Sequence, residues 1–385
     1  MISYDHTMIE RDSLSDQSPF DAFKAKCSEN GLLSKPEELR EEDLCDGIND
    51  DVVLLRFLRA RKCDVEEAYK MFSAVCITRT RDRHCTFYDN VDVKAYNETR
   101  KMYPHWAGRR DKFGQPVCYL DIEAITSKSL ATHRQTSASL KVLEMNIPKS
   151  ISIGSLRPYA IFDNAVRFVL PLCSAVPNRP NPHKPITKAV YVVDISSITL
   201  KQVWDMRNWI KNTSGLLADA YPEIVDKILI IGAPSYMPTI WDWVKGWIDP
   251  VTASKIRYLK PTEVLTTLTT LIEMADIPKK YGGELTWECG MLPDLDPAIK
   301  ELLNGMEYPV GPVKWIEGER AERIVVAVGS VDGKKRVERL ATTASSHQPE
   351  PLLVDKAEDA TVGDEKHELT VEIGMEGAKE SPVLA

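Results

Sequence analysis

The chain has 385 residues with a hydrophobic share of 43%, enough for a substantial core in two or three domains or in one large α/β domain with appendages. Its formal net charge of -8 leaves no basic excess to release counterions from phosphates, which excludes a nucleic-acid binder. That charge is uneven: ten acidic and three basic side chains lie from Glu350 onward, so the rest is close to neutral and can approach an anionic membrane without much repulsion.

In chain order, residues 1–19 are polar and expected to be flexible, with no apolar stretch of the signal-peptide kind. Residues 20–85 read as a helical subdomain. In "DDVVLLRFLRARKCDVEEAYKMF", Asp50 and Asp51 suit a helix start, and Val53, Leu54, Phe57 and Leu58 share one face. "KCD" breaks that helix. Asp64 caps the next, which buries Val65, Ala68, Tyr69, Phe72 and Val75 or Cys76.

From about residue 115 strands alternate with helices. "PVCYLDI", "KAVYVVDI" and "KILIIGAP" have the continuous apolar character of strands buried on both faces, so the expected architecture is α/β with a mixed, mostly parallel sheet. "VPNRPNPHKPIT" reads as a surface loop. In "SYMPTIWDWVKGWIDPVTASKI", Met237, Ile240, Trp241, Val244, Trp247 and Ile248 recur at helical spacing, while Trp243 lies off that stripe. An ordinary amphipathic helix packed on the core explains one apolar face but not tryptophans on two. A helix offered to a bilayer interface explains both, because indole joins a large apolar body to a polar N–H. Asp249-Pro250 then starts another helix, with Thr252 and Lys255 on one side of its first turn. A hydroxyl, a cation and a helix N-terminus together suit a phosphodiester. Residues 291–340 read as an extension with a hairpin around Asp332-Gly333, and 341–385 as a disordered acidic tail.

Motifs for catalysis are absent: no G-x-G-x-x-G after a strand, no P-loop, no H-E-x-x-H and no G-x-S-x-G. The expectation is a protein that is not an enzyme and holds no metal or cofactor. Eight scattered cysteines, with no C-x-x-C, read as free thiols of a reducing compartment. No run nears the ~20 apolar residues that span a bilayer, so the protein is expected to be cytoplasmic with only peripheral membrane contact.

Four stretches carry a resemblance. "VVLLRFLRARKCDVEEAYKMF" resembles the N-terminal helical signature of the CRAL-TRIO lipid-binding proteins. "GQPVCYLDI", "YPEIVDKILIIGAPSYMPTIWDWVKGWIDPVTASKIRYL" and "IPKKYGGEL" resemble the lipid-binding domain in order, most of all that of the yeast-type phosphatidylinositol transfer proteins. The likeness spans roughly residues 50 to 285. It implies a lipid-binding domain over residues 86–290, in which the sheet floors an apolar pocket under a gating helix.

The resemblance places the gate and membrane contact at Tyr236, Met237, Ile240, Trp241, Trp243, Val244, Trp247 and Ile248. It implies phosphoinositol headgroup contacts from Arg61, Glu223, Thr252 and Lys255; taken singly, Glu223 and Lys255 also read as a plain surface ion pair. Family members that also carry phosphatidylcholine use hydroxyl groups where this chain has Cys118, Phe162, Ala189 and Tyr191, so the choline-lipid site is expected to be lost or altered. The implied protein is a monomer that extracts, exchanges or presents phosphatidylinositol at endomembranes, with lipid kinases as partners and bound phospholipid as cargo. Two alternatives stand beside it: a carrier of a sterol, another phospholipid or haem, motivated by Tyr191, and an adaptor that senses lipid while its C-terminal segments recruit proteins.

Overall fold

The computed structural model describes residues 18–145 and 151–343. The expectations for the extreme N-terminus and for most of the acidic tail fall outside those residues. Three helices, α1 (Pro19–Glu29), α2 (Asp51–Ala60) and α3 (Val65–Arg81), form a first cluster. Their caps follow from the sequence: the Asp50 carboxylate accepts from Val53 N at 2.8 Å, and Asp64 accepts from Glu67 N at 3.0 Å. Val53, Leu54, Phe57 and Leu58 are buried, as are Ala68 and Phe72, while Val65, Tyr69, Val75 and Cys76 pack at the margin. Phe72 meets Phe57 and Phe23 edge-on, with centroids 5.2 and 6.2 Å away.

Short helices α4 (His84–Asn90) and α5 (Val93–Arg100) lead into the sheet. Strands β1 (His105–Arg110) and β2 (Pro116–Asp121) are antiparallel. Helix α6 (Ser127–Ser139) follows; α7 (Ile153–Asn164) then continues through a π turn at Ala165–Val169 into α8 (Leu170–Ala175). Next come β3 (Ala189–Asp194), the long α9 (Leu200–Ala220) and β4 (Val225–Ile231). Helices α10 (Met237–Val244) and α11 (Pro250–Ser254) precede β5 (Ile256–Leu259), and α12 (Val264–Leu271) and α13 (Pro297–Leu302) come after it. The strand order is β1-β2-β3-β4-β5, with every pair from β2 onward parallel. The sheet is mixed and mostly parallel.

Alternation along the strands divides the sheet into two buried faces. Val117, Tyr119, Val192, Leu229, Ile231 and Leu259 point to a layer with Leu268, Ile272 and Trp287. Cys118, Leu120, Ala189 and Tyr191 point the other way, into the main core with Phe162 and Ile240. The loop "VPNRPNPHKPIT" runs mostly over the surface. Val176 and Ile186 anchor its ends in the core, and between them the buried Arg179 guanidinium donates to the carbonyls of Ser174, Asn181, Pro182 and Lys184 and holds the loop in shape.

Strands β6 (Val313–Glu317), β7 (Arg323–Val331) and β8 (Lys334–Thr343) form a second, antiparallel sheet. Asp332 and Gly333 turn between β7 and β8 with φ of 50° and 72°, the left-handed pair that a two-residue hairpin needs. This sheet is built into the main core rather than appended to it. Trp315 is buried and stacks on Phe168 at 5.1 Å. Lys314, also buried, lies 2.6 Å from Asp43 and 2.5 Å from Asp89, so its charge is compensated by two carboxylates from distant segments.

Candidate functional site

Parallel pairing sets the starts of β3 and β4 side by side, Ala189 opposite Val225, while β5 begins opposite Ile228; a charged residue stands shortly before each strand. Lys255 Nζ lies 3.1 Å from Glu223 Oε2 and also donates to the Val225 carbonyl at 2.9 Å. Lys188, immediately before β3, reaches the same Glu223 oxygen at 3.5 Å. Glu223 is thus held between two lysines, with its side chain only 16% exposed. Its backbone adopts a left-handed φ of 55°, unusual for a non-glycine residue and set by the turn from α9 into β4. Lys188 was not legible as a member, because it lies 35 positions from Glu223 and only strand pairing joins them.

Thr252 belongs to the turn that carries Lys255, whose N–H donates to the Thr252 carbonyl at 3.1 Å. The start of α11 corrects one expectation. Asp249 accepts from Val251 N at 2.9 Å and Thr252 N at 3.0 Å, so the first-turn amides are occupied by the chain's own carboxylate. The helix end therefore offers no free amides to a phosphate; Lys255, Lys188 and the Thr252 hydroxyl are what the edge presents. Arg61 stands elsewhere. Its side chain is exposed, donates to the adjacent Ala60 carbonyl and lines a cavity of about 490 Å³ with Arg79 and Asp219. Among the described residues no hydrogen bond or ion pair joins Arg61 to Glu223, Thr252 or Lys255.

The gate stretch is helical from Met237 to Val244, with Pro238 in its first turn and Tyr236 just before it. Lys245 to Trp247 continue as turns, and Ile248 lies beyond them. Ile240 is buried at 2% exposure, and Met237, Val244 and Trp247 pack against the main core beside it. The helix is packed down on the core along this side. The tryptophans divide by environment. Trp241 meets Tyr258 of β5 edge-on at 5.8 Å, and Lys211 stands 5.6 Å over the Trp247 ring. Trp243 is 37% exposed and meets Trp204 of α9, itself 53% exposed, at 6.3 Å. Trp204 and the nearby Leu200 enlarge the outward apolar face; the sequence hid them because α9 is distant in the chain and otherwise an ordinary amphipathic helix. The Tyr236 hydroxyl donates to the Ile198 carbonyl at 2.6 Å, which ties the residue before α10 to the segment before α9.

Cys118, Phe162, Ala189 and Tyr191 converge. All four line one cavity, and its volume is only about 40 Å³. Cys118 and Tyr191 are register partners on β2 and β3. Burial pushes the Cys118 thiol up to about 12 and the Tyr191 hydroxyl well above its ordinary value, so neither ionises near neutrality. Behind them lies a buried polar network. Arg79 donates to both Asp163 oxygens at 2.9 Å, and the Tyr221 hydroxyl donates to Asp163 at 2.6 Å.

None of the cavities described is lined by Glu223, Thr252 or Lys255. The largest, about 1070 Å³, lies between α6, α7 and α9. Among the described residues, no cluster of His, Cys, Asp and Glu could hold a metal ion, and no helix is long and apolar enough to cross a membrane.

Comparison with known proteins gives two family matches: the CRAL/TRIO domain over residues 99–283 and the CRAL/TRIO N-terminal domain over residues 19–74. A CRAL-TRIO domain-containing protein of Saccharomyces cerevisiae is 27% identical over 288 residues, covering 69% of this chain and 86% of that protein. A SEC14 cytosolic factor of Yarrowia lipolytica is 26% identical over 242 residues, 63% of this chain and 45% of the relative. A phosphatidylinositol/phosphatidylcholine transfer protein of Arabidopsis thaliana is 26% identical over 241 residues, 62% and 40% respectively. The chain thus spans less than half the length of the last two relatives.

Proposed function

The chain belongs to the CRAL/TRIO family, and from that premise we propose that it is a lipid carrier that extracts, exchanges or presents one phosphatidylinositol molecule between membranes. The observation that carries the inositol-lipid reading is the charged edge at the starts of β3, β4 and β5. Glu223 is an acceptor for inositol hydroxyls, and Lys255 and Lys188 are cations for the phosphate. Thr252 adds a hydroxyl on the turn that holds Lys255. Arg61 joins the set only if cargo or lid opening redirects its side chain.

The closed lid supports a gated mechanism. Opening exposes Ile240 and its packed neighbours, at roughly 1.5–3 kcal/mol per fully buried apolar side chain in water. At a bilayer the same side chains enter hydrocarbon, so the cost falls where exchange has to occur. Trp243 and Trp204 already face outward and supply the first contact. No bond is made or broken in this cycle, so the proposal is a carrier rather than an enzyme. The carrier acts as a monomer in the cytoplasm, docks transiently on endomembranes and offers its cargo to lipid kinases. The name of the Yarrowia relative, a cytosolic factor, supports that compartment.

The choline-lipid site is proposed to be lost. Three of the four positions lack a hydroxyl, and the fourth, Tyr191, is buried against a cavity of about 40 Å³, room for one or two waters and not for a headgroup. The test is transfer of labelled phosphatidylinositol between vesicles, with unlabelled phosphatidylcholine as competitor. Transfer that phosphatidylcholine leaves unchanged is expected. Competition as strong as that by unlabelled phosphatidylinositol would overturn the assignment.

A further inference from the structure

Helix α9 runs alongside the segment from Tyr236 to Asp249, and the contacts climb both in the same order. The carbonyl of Ile198, just before α9, accepts from the Tyr236 hydroxyl at 2.6 Å. Trp204 meets Trp243 with ring centroids 6.3 Å apart, and Lys211 stands 5.6 Å over the Trp247 ring. At the far end the Ser214 hydroxyl accepts from the Asp249 N–H at 2.8 Å. Trp204, Lys211 and Ser214 follow one another at steps of seven and three, so a single stripe of α9 carries them.

The Ser214 contact leads on to the charged strand edge. Ser214 is buried, and the residue it holds is the cap of α11. The Asp249 carboxylate accepts from Val251 N at 2.9 Å and Thr252 N at 3.0 Å, and the Lys255 N–H donates to the Thr252 carbonyl at 3.1 Å. The main chain of Asp249 is thus fixed to α9, while its side chain fixes the turn that carries Thr252 and Lys255. The same helix ends at Ala220 and passes into the turn that carries Glu223. There the Tyr221 hydroxyl anchors it by donating to Asp163 at 2.6 Å. One helix therefore sets both halves of the Glu223–Lys255 pair, Glu223 through the chain and Lys255 through the Ser214–Asp249 bond. A lysine on its flexible stem reaches a carboxylate from many positions; to meet a phosphate together with the Thr252 hydroxyl, its turn has to be held.

We propose that Ser214 is a positioning residue of the headgroup site: by holding Asp249 it sets Thr252 and Lys255 against Glu223, and it links the headgroup contacts to the packing of residues 237–248. Asp249 closes that segment and opens α11, so a swing of the segment away from α9 pulls on the Ser214–Asp249 bond. The headgroup is held while the segment is packed and is loosened as it lifts. This inference rests on the reading that Lys255 and Glu223 bind the inositol lipid.

A double-substitution cycle on the full chain tests it. The readout is phosphatidylinositol taken up from phosphatidylcholine vesicles that contain it, measured by mass spectrometry. Ser214→Ala leaves the Asp249 N–H without its acceptor and should lower that uptake about tenfold. Lys255→Ala should lower it alone. Adding Ser214→Ala to Lys255→Ala should then cost less than about threefold more, because Ser214 acts through the turn that carries Lys255. A merely structural role would take the same tenfold in either background. Asp249→Ala breaks the same link from its partly exposed end, should give the same pattern and replaces Ser214→Ala if that variant does not fold. Wild-type uptake by Ser214→Ala beside a loss in Lys255→Ala would overturn the positioning role and leave the inositol-lipid reading in place. Losses that multiply in the double variant would also overturn it. Equal uptake by Lys255→Ala and wild type would overturn both the positioning role and the reading beneath it.

Discussion

Replacing Ile240 by alanine should loosen the lid without unfolding the protein. Ile240 is 2% exposed although it sits on a helix of only eight residues whose other turns reach solvent. The substitution removes three methyl or methylene groups, roughly 2.4 kcal/mol at ~0.8 kcal/mol each. Because the sheet and α7 are held by their own packing, the loss falls on the equilibrium between packed and lifted α10. At tenfold per ~1.4 kcal/mol, the lifted population in water should rise roughly fiftyfold. Hydrogen exchange reads this directly. The amides of Lys245 and Trp247, bonded to the carbonyls of Trp241 and Val244, should exchange about that much faster, while amides of β3 and β4 keep wild-type rates. Unchanged exchange in α10 would refute the idea that Ile240 holds the lid, and equal acceleration in the strands would show that it holds the whole fold.

Trp204 and Trp243 are exposed together, so replacing each by serine should weaken vesicle association by roughly tenfold apiece, with little change in thermal midpoint. Equal sedimentation of wild type and the double variant with vesicles would remove this face from the membrane contact. Acid should destabilise the protein through His105. Its Nδ1–H donates to the Tyr103 carbonyl at 2.9 Å and its Nε2 accepts from Gly290 N at 2.9 Å, an arrangement only the neutral ring can hold. Burial, with the Arg100 cation nearby, depresses its pKa to about 3. The stability of the neutral ring is fully present above the unfolded value near 6.5 and is lost as pH falls below it, at up to about 1.4 kcal/mol per pH unit toward pH 3. Denaturant midpoints from pH 7 to pH 4.5 should fall in the wild type and fall less in His105→Gln; identical slopes would contradict this role.

Local chemistry made much of the fold legible. The carboxylates of Asp50, Asp64 and Asp249 each cap the helix start at which they stand, because a cap is satisfied within three residues. The three β-rich runs became β2, β3 and β4 because strands buried on both faces are apolar throughout. The edge strand β1, "HWAGRR", went unread: its outer end is half-polar, and its pairing is decided by β2 rather than by its own pattern. The extension read as a hairpin turned out to be a three-stranded sheet, since the β6 pairing and the burial of Lys314 between Asp43 and Asp89 depend on segments far away.

The candidate site divides the same way. Lys188 and Glu223 meet because β3 and β4 start side by side, which leaves no local signal, whereas β5 starts opposite Ile228 and the long Lys255 side chain reaches back past Val225 to Glu223. Trp241 and Trp247 were read as membrane-facing, but Tyr258 and the core take up much of their surface. A helical wheel gives the direction of a side chain and not what stands opposite it.

The central claim is that Lys255 and Glu223 hold an inositol phospholipid, and mass spectrometry of lipid extracted from the purified protein, wild type beside Lys255→Ala, tests it most directly. A charge-assisted bond to phosphate contributes roughly 1.5–3 kcal/mol, so retained phosphatidylinositol should fall tenfold to a hundredfold in the variant. Thermal stability should change little, since Lys188 remains beside Glu223. Equal phosphatidylinositol in both proteins would make the Lys255–Glu223 contact a structural ion pair, and a different lipid in both would keep the carrier and contradict its cargo.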